Sequence, residues 1–129
     1  IVVRVLSWGA SPVPDDWMKA RIAASLRARR LLGLGRHDQG DGEGRDTERM
    51  PAETTGYREI NSEGDGLPGL TVDRYGDTRV VALGTAPMVA WRAEILATLA
   101  TLDPVETTLV LQLESAAKRE GFAASFSRE

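Results

Sequence analysis

Residues 57–84, YREINSEGDGLPGLTVDRYGDTRVVALG, decide the fold of this 129-residue chain. Turn-forming segments at 63–69 and 75–77 divide them into three short strands. Apolar and polar residues alternate over 70–73, which predicts a strand with one buried face, whereas the continuous apolar run at 80–83 is typical of a central strand. A three-stranded sheet is therefore the predicted centre of the fold.

The residues after this sheet predict a helix and a further strand. Residues 88–102 place apolar side chains at helical spacing on one side, and Pro104 stops that helix. Residues 107–113 predict another strand and 115–121 a short helical turn, with no evident closing element beyond them. The predicted fold class is α+β, with a small mixed or antiparallel sheet in the order strand, strand, strand, helix, strand and one packed amphipathic helix.

The region before the sheet predicts a strand at 1–8 and a basic helix over about 16–32, ended by a glycine. Residues 34–56 are rich in Gly, Asp, Glu and Arg without an apolar period, so we expect a flexible charged linker there. These patterns divide the chain into a first part at 1–33, the linker, and a central α+β domain at 57–129. Since the first strand has no preceding partner, we expect the chain to be cut from a longer protein.

Composition narrows the classes of function. The formal net charge of −3 weighs against an avid, independent nucleic-acid binder. The chain has no cysteine, and its one histidine, His37, lies in the predicted linker, so we expect neither thiolate catalysis nor a metal site. No apolar run approaches the ~20 residues of a bilayer span. We therefore expect no membrane partner and a cytoplasmic location.

The glycine-rich turn is the first candidate for a cofactor site. Its residues are Gly64, Asp65, Gly66, Pro68 and Gly69. A phosphate cradle needs the N-terminus of a helix, whereas this turn lies between two strands and carries acidic side chains. We interpret it as a structural turn whose glycines supply unusual backbone angles, and we expect no catalytic or cofactor-binding residue in the chain.

Asp73 and Arg74 follow Val72 directly and form a second candidate. They could be a site pair. The preferred interpretation is a surface pair near the turn that holds the hairpin together.

The basic helix is the best candidate for a function. Residues 17–36 contain six cations and no acid. The predicted contacts to RNA phosphates are Lys19, Arg21, Arg27, Arg29 and Arg30. A solvated helix face is the alternative, because most charge runs are no more than that. Trp8 and Trp17 could stack on bases, but aromatic residues beside a helix are more often packing residues.

The motif at 57–77, YREINSEGDGLPGLTVDRYGD, resembles the signature of large-subunit ribosomal RNA cytosine-5 methyltransferases that carry an N-terminal PUA domain. The stretch at 2–8 and its helix resemble the end of that PUA domain and the segment after it. The resemblance implies that the full-length protein uses S-adenosylmethionine to methylate ribosomal RNA. It also implies that the donor-binding and catalytic residues lie in a domain beyond 129, so this chain alone is predicted to be inactive.

Two functions remain open from the sequence. The first is an accessory part of an RNA methyltransferase, which positions ribosomal RNA as its partner. The second is a non-enzymatic interaction or dimerisation module, with a possible homodimer and no RNA contact. RNA affinity that depends on the basic helix distinguishes the first from the second.

Overall fold

A computed structural model of the protein describes residues 12–34 and 55–129. The strand predicted at 1–8, most of the linker predicted at 34–56 and His37 lie outside the described residues. The elements are α1 (Trp17–Leu31), β1 (Gly56–Asn61), β2 (Leu70–Tyr75), β3 (Thr78–Leu83), α2 (Ala86–Ala90), α3 (Arg92–Leu102), β4 (Thr107–Gln112), α4 (Glu114–Glu120) and β5 (Ser125–Arg128). Among these helices, none is long and apolar enough to cross a membrane.

The five strands form one sheet in the order β1-β2-β3-β4-β5. Neighbouring strands are antiparallel except β3 and β4, which are parallel and are connected by α2 and α3. A parallel pair needs such a crossover, because its strands cannot be joined by a tight turn. The α+β class, the three consecutive antiparallel strands and the central place of β3 are confirmed.

The core lies on one face of the sheet, beneath α1 and α3. Alternate residues of β2 and β3 point into it, as the period of two requires. The fully buried apolar side chains include Leu70, Val72, Val81 and Leu83 from the sheet and Ile95 and Leu99 from α3. α1 adds Trp17, Met18, Ile22 and Leu26 to the same core. Each such side chain contributes roughly 1.5–3 kcal/mol when buried, so α1 is firmly attached to the sheet.

Two predicted elements differ from the structure. The helix predicted at 88–102 is two helices, because Trp91 leaves the helical conformation at φ −90° and ψ 8°. Its ring lies 5.8 Å from that of Trp17, so the break places the two indoles in contact. The second difference is β5, which follows the predicted helical turn and extends the sheet beyond β4.

The glycine-rich turn depends on one close approach. Gly69 has φ +88°, and a Cβ atom on it would lie 2.3 Å from Cγ2 of Thr85. Its carbonyl accepts a hydrogen bond of 2.8 Å from the amide of Gly84, which joins the start of β2 to the end of β3. Only glycine permits both the left-handed backbone and the contact with Thr85.

An ion-pair cluster lies in the core where β1, β2 and β3 meet. Glu59 of β1 is fully buried and accepts two hydrogen bonds from Arg79, of 2.6 Å from Nε and 3.0 Å from Nη2. Arg74 reaches Glu59 at 3.5 Å and Asp103 at 3.3 Å. Two guanidinium groups thus face two carboxylates, and the cluster is electrically neutral.

The local backbone explains how a glutamate enters the core. The register of β1 against β2 shifts between Arg58 and Ile60, so that Glu59 is the extra residue of a bulge. Both Glu59 and Ile60 are therefore fully buried. Burial is the main cause that raises the pKa of the neighbouring Tyr57 phenol, and the charge of Glu59 raises it further.

We expect Glu59→Gln to reduce the free energy of unfolding by about 3–5 kcal/mol, because it leaves two buried guanidinium groups with one carboxylate. Urea denaturation measures the loss. The control is Asp73→Asn, which weakens the half-exposed pair between Arg58 and Asp73 and costs about 0–1 kcal/mol. Equal losses in the two variants would show that the buried cluster does not hold the strands together.

Candidate nucleic-acid interface

α1 is a well-formed helix with a defined end. Its sequence contains several alanines and arginines, which favour helix, and no proline or glycine. At its C-terminus Gly33 takes φ +76°, and the amides of Gly33 and Leu34 donate to the carbonyls of Arg30 and Arg29 at 3.0 and 2.9 Å. This is a Schellman motif, which satisfies the last helical carbonyls. The basic side chains of α1 are therefore carried by a rigid element.

Arg29 is held by the glycine-rich turn. Its Nη1 and Nη2 atoms donate to the two carboxylate oxygens of Asp65 at 2.9 and 2.7 Å, and its Nε donates to the carbonyl of Arg58 at 3.0 Å. The side chains of Arg29 and Asp65 are only 17% and 14% exposed. A bidentate pair of this kind is among the stronger charged interactions. Arg29 thus fastens α1 to the turn between β1 and β2.

Arg30 lies on the other side of α1, where its Nη2 donates to the carbonyl of Leu102 at 3.3 Å. That carbonyl is at the C-terminal end of α3, where a cation is favoured by the helix dipole. Trp17 and Trp91 bring the N-terminal ends of α1 and α3 together, whereas Arg30 and Leu102 connect the C-terminal ends. The two helices therefore run in the same direction. Arg30 remains exposed despite this contact.

The side chains of Lys19, Arg21 and Arg27 are exposed and make no hydrogen bond or ion pair within the described part of the chain. Lys19 and Arg30 are separated by about three helical turns, so they lie on the same side of α1. Arg27 lies next to them around the helix. Arg21 lies on the opposite side, beside Gly66. We call Lys19, Arg27 and Arg30 the α1 basic surface, to which Arg21 does not belong. The adjacent helix, α3, has Glu94 as its single acid.

Three backbone amides of the glycine-rich turn donate hydrogen bonds within the turn. Within it, the amides of Gly66 and Leu67 donate to the carbonyls of Glu63 and Ser62 at 3.0 Å each, and the amide of Gly69 donates to Oγ of Ser62 at 2.8 Å. These amides are therefore already used by the turn itself. A short 3-10 helix, Ser62–Asp65, begins the turn, and Asp65 also accepts from the amide of Asn61. The interpretation of Gly64, Asp65, Gly66, Pro68 and Gly69 as a structural turn stays a prediction.

Asp73 and Arg74 require a correction, because both lie within β2 rather than in a turn. They do not form one surface pair. Asp73 accepts hydrogen bonds from Arg58 on the open face of the sheet, a contact that is the main cause raising the pKa of Arg58. Arg74 points to the opposite face, where it is 4% exposed within the buried cluster.

The buried cluster has no counterpart in the sequence prediction, although one signal was present. The tight hairpin places Arg74 directly opposite Arg79. Two like charges in that position are unfavourable unless an acid lies between them. The two arginines therefore call for an acidic side chain on the core face of the sheet. Glu59 could not be recognised as that residue, because the bulge interrupts the alternation of buried and exposed residues in β1.

The remaining candidates are placed as follows. Trp17 is 7% exposed and packs in the core, so in this structure its ring is covered by protein. Trp8 lies outside the described residues. Among the described residues, there is no group of three or more His, Asp or Glu side chains that could hold a metal ion.

Comparison with known sequences finds relatives named as ribosomal RNA methyltransferases. The chain is 40% identical over 90 residues to a protein of Deinococcus radiodurans named ribosomal RNA large subunit methyltransferase, and the match covers 69% of this chain and 18% of that protein. It is 39% identical over 69 residues to ribosomal RNA large subunit methyltransferase I of Shewanella denitrificans, which covers 54% of this chain and 17% of that protein. The chain therefore spans less than a fifth of the length of these curated relatives. No protein-family model matches it.

Solved structures share the fold. A putative SAM-dependent methyltransferase from Streptococcus mutans superposes with a TM-score of 0.60 at 20% identity, over 82% of this chain and 24% of that one. A putative methyltransferase complexed with SAH superposes with a TM-score of 0.57 at 19% identity, over 79% of this chain and 23% of that one. The chain is thus similar, in sequence and in fold, to one part of larger methyltransferases.

We expect a double-mutant cycle of Arg29→Gln and Asp65→Asn to give a coupling energy of about 1–3 kcal/mol, because the two side chains form a mostly buried bidentate pair. The measurement is the free energy of unfolding of the two single variants, the double variant and the parent chain. Additive losses would mean that Arg29 is not committed to Asp65 and remains available for another ligand.

Proposed function

We propose that this chain is the RNA-positioning part of a longer, S-adenosylmethionine-dependent ribosomal RNA methyltransferase. The observation that carries the proposal is the α1 basic surface, whose cations are exposed and fixed on a rigid helix. The names of the relatives support ribosomal RNA as the substrate class. In this proposal the methyl donor and the catalytic residues belong to another part of the longer protein.

The chain has a net charge of −3, but exposed cations are concentrated on α1. A local basic surface of this kind is compatible with RNA binding. Lys19, Arg27 and Arg30 share one side of α1 next to a helix with a single acid. Neutralising RNA phosphates releases bound counterions, so binding by these groups must weaken as salt rises. Such contacts fix position along the backbone and carry no base specificity. The chain is therefore proposed to orient the RNA rather than to select its target base.

The finer assignments belong to the same proposal. A PUA region before α1 and the C5 atom of cytosine as the methylated position rest on the resemblance of the motif at 57–77. A cytoplasmic location rests on the lack of cysteine. Arg29 has a different part in the proposal from the three residues of the α1 basic surface. It orients α1 on the turn, and the surrounding cations contact phosphates.

We expect Lys19→Gln with Arg27→Gln to weaken binding of a ribosomal RNA fragment and to reduce the slope of log affinity against log salt by roughly two, one for each lost phosphate contact. Fluorescence anisotropy at several salt concentrations measures both quantities. Neither side chain has a hydrogen-bond partner within the described residues, so the fold is expected to be unchanged.

The matched control is Lys118→Gln with Arg119→Gln. It removes one lysine and one arginine from exposed positions on α4, so the change in net charge is the same. Binding that falls equally in both double variants would attribute the affinity to overall charge. No binding by the parent chain at low salt would contradict the proposal and would favour the interaction module.

A further inference from the structure

The side chains around the α1 basic surface are small. Ala23 is four residues from Lys19 and four from Arg27, so it lies between them on the surface of the helix. Ala24, one turn before Arg27, is exposed. The exposed side of the adjacent helix α3 also consists largely of alanines, which are Ala93, Ala97 and Ala100. The long cationic side chains therefore project above their neighbours, and a ligand on this surface contacts them first.

No exposed aromatic ring accompanies these cations in the part of the chain that the structure describes. Trp17 is buried, and Trp91 is half-buried in contact with it. Tyr75 and Phe126 are exposed, but both lie on the face of the sheet away from α1. Proteins that hold single-stranded nucleic acid rely on aromatic rings, on which successive bases stack. The described side chains of the α1 basic surface can therefore contact phosphates, but they cannot stack on unpaired bases.

The spacing of the cations is set by a rigid support. Arg29 fastens α1 to the glycine-rich turn, and Arg30 contacts the end of α3. Lys19 and Arg30 are about 16–17 Å apart along the helix axis, at a rise of 1.5 Å per residue. A duplex presents its phosphates at fixed positions, whereas a flexible single strand loses conformational entropy when it is ordered on a surface. Cations at fixed positions therefore favour the ligand that is already ordered.

We propose that the α1 basic surface binds paired RNA, through the phosphates of a double-stranded stem. This inference rests on the proposed function and adds the form of RNA that the surface takes. Double-stranded RNA is recognised mostly by its shape, phosphates and 2′-hydroxyls, because side chains cannot read the bases in its deep, narrow major groove. A rigid helix with cations and no exposed ring matches this mode. The stem holds the chain on the RNA, and the base to be methylated is left to another part of the longer protein.

The experiment compares an RNA duplex with an unstructured oligouridine that has the same number of phosphates. We expect the parent chain to bind the duplex about tenfold more tightly at low salt, because the single strand gains no stacking on this surface. The higher charge density of a duplex also attracts cations in general, so the preference is measured in two double variants. Lys19→Gln with Arg27→Gln is expected to lose most of it. Lys118→Gln with Arg119→Gln, which removes the same charge from α4, is expected to keep it.

Three results would overturn the inference, and they separate it from the proposed function. If oligouridine binds as tightly as the duplex and the Lys19→Gln, Arg27→Gln variant still weakens binding, RNA binding by α1 stands but the preference for paired RNA is wrong. A duplex preference that falls equally in the two double variants comes from overall charge. No binding of either RNA at low salt contradicts the inference and the proposed function together. Circular dichroism of each variant shows whether the fold is retained.

Discussion

The burial of Glu59 is the constraint on which the rest of the structure depends. Two arginines opposite each other in the β2–β3 hairpin cannot enter an apolar core without counter-charges, and Glu59 supplies one of them from β1. Asp103, directly after α3, supplies the other. The cluster therefore ties three strands and the end of a helix to one another. A buried ion-pair cluster adds little net stability over apolar packing, but few other arrangements of the strands would pair its charges. Removing one partner leaves an uncompensated buried charge.

The position of α1 follows from the same strands. The bulge at Glu59 lies between Arg58, whose carbonyl accepts from Arg29, and the turn that carries Asp65. α1 is thus fastened along the β1 side of the sheet by Arg29 and against α3 by Arg30. Its apolar side is buried under these contacts, and the remaining cations have to face outwards. The packing of α1 thus explains why a chain of net charge −3 has a basic surface on this helix.

Local patterns predicted most elements, because strand alternation, turn glycines and helical spacing are properties of neighbouring residues. The three hairpin strands, the basic helix and the short helix at 114–120 were all recognisable. Interactions between distant residues were not. The sequence could not show that Arg29 pairs with Asp65, that Arg74 is buried, or that 125–128 pairs with β4, because each depends on partners brought together only by the fold. The interpretation of 88–102 as one helix was wrong, because the helix is interrupted at Trp91, whose ring contacts that of Trp17 from a distant part of the chain. The division of the chain at 33 and 56 stays a prediction, although α1 shares a core with the sheet.

The central claim is that the outer side of α1 contacts RNA while its inner side is fixed to the sheet. The most direct measurement is an NMR titration of the isotope-labelled chain with a ribosomal RNA fragment. The account predicts shift changes at Lys19 and Arg27 that fade as salt is raised, with the resonances of β4 and β5 unchanged. Shift changes confined to the sheet, or spread evenly over the exposed charges of α1 and α4, would contradict it.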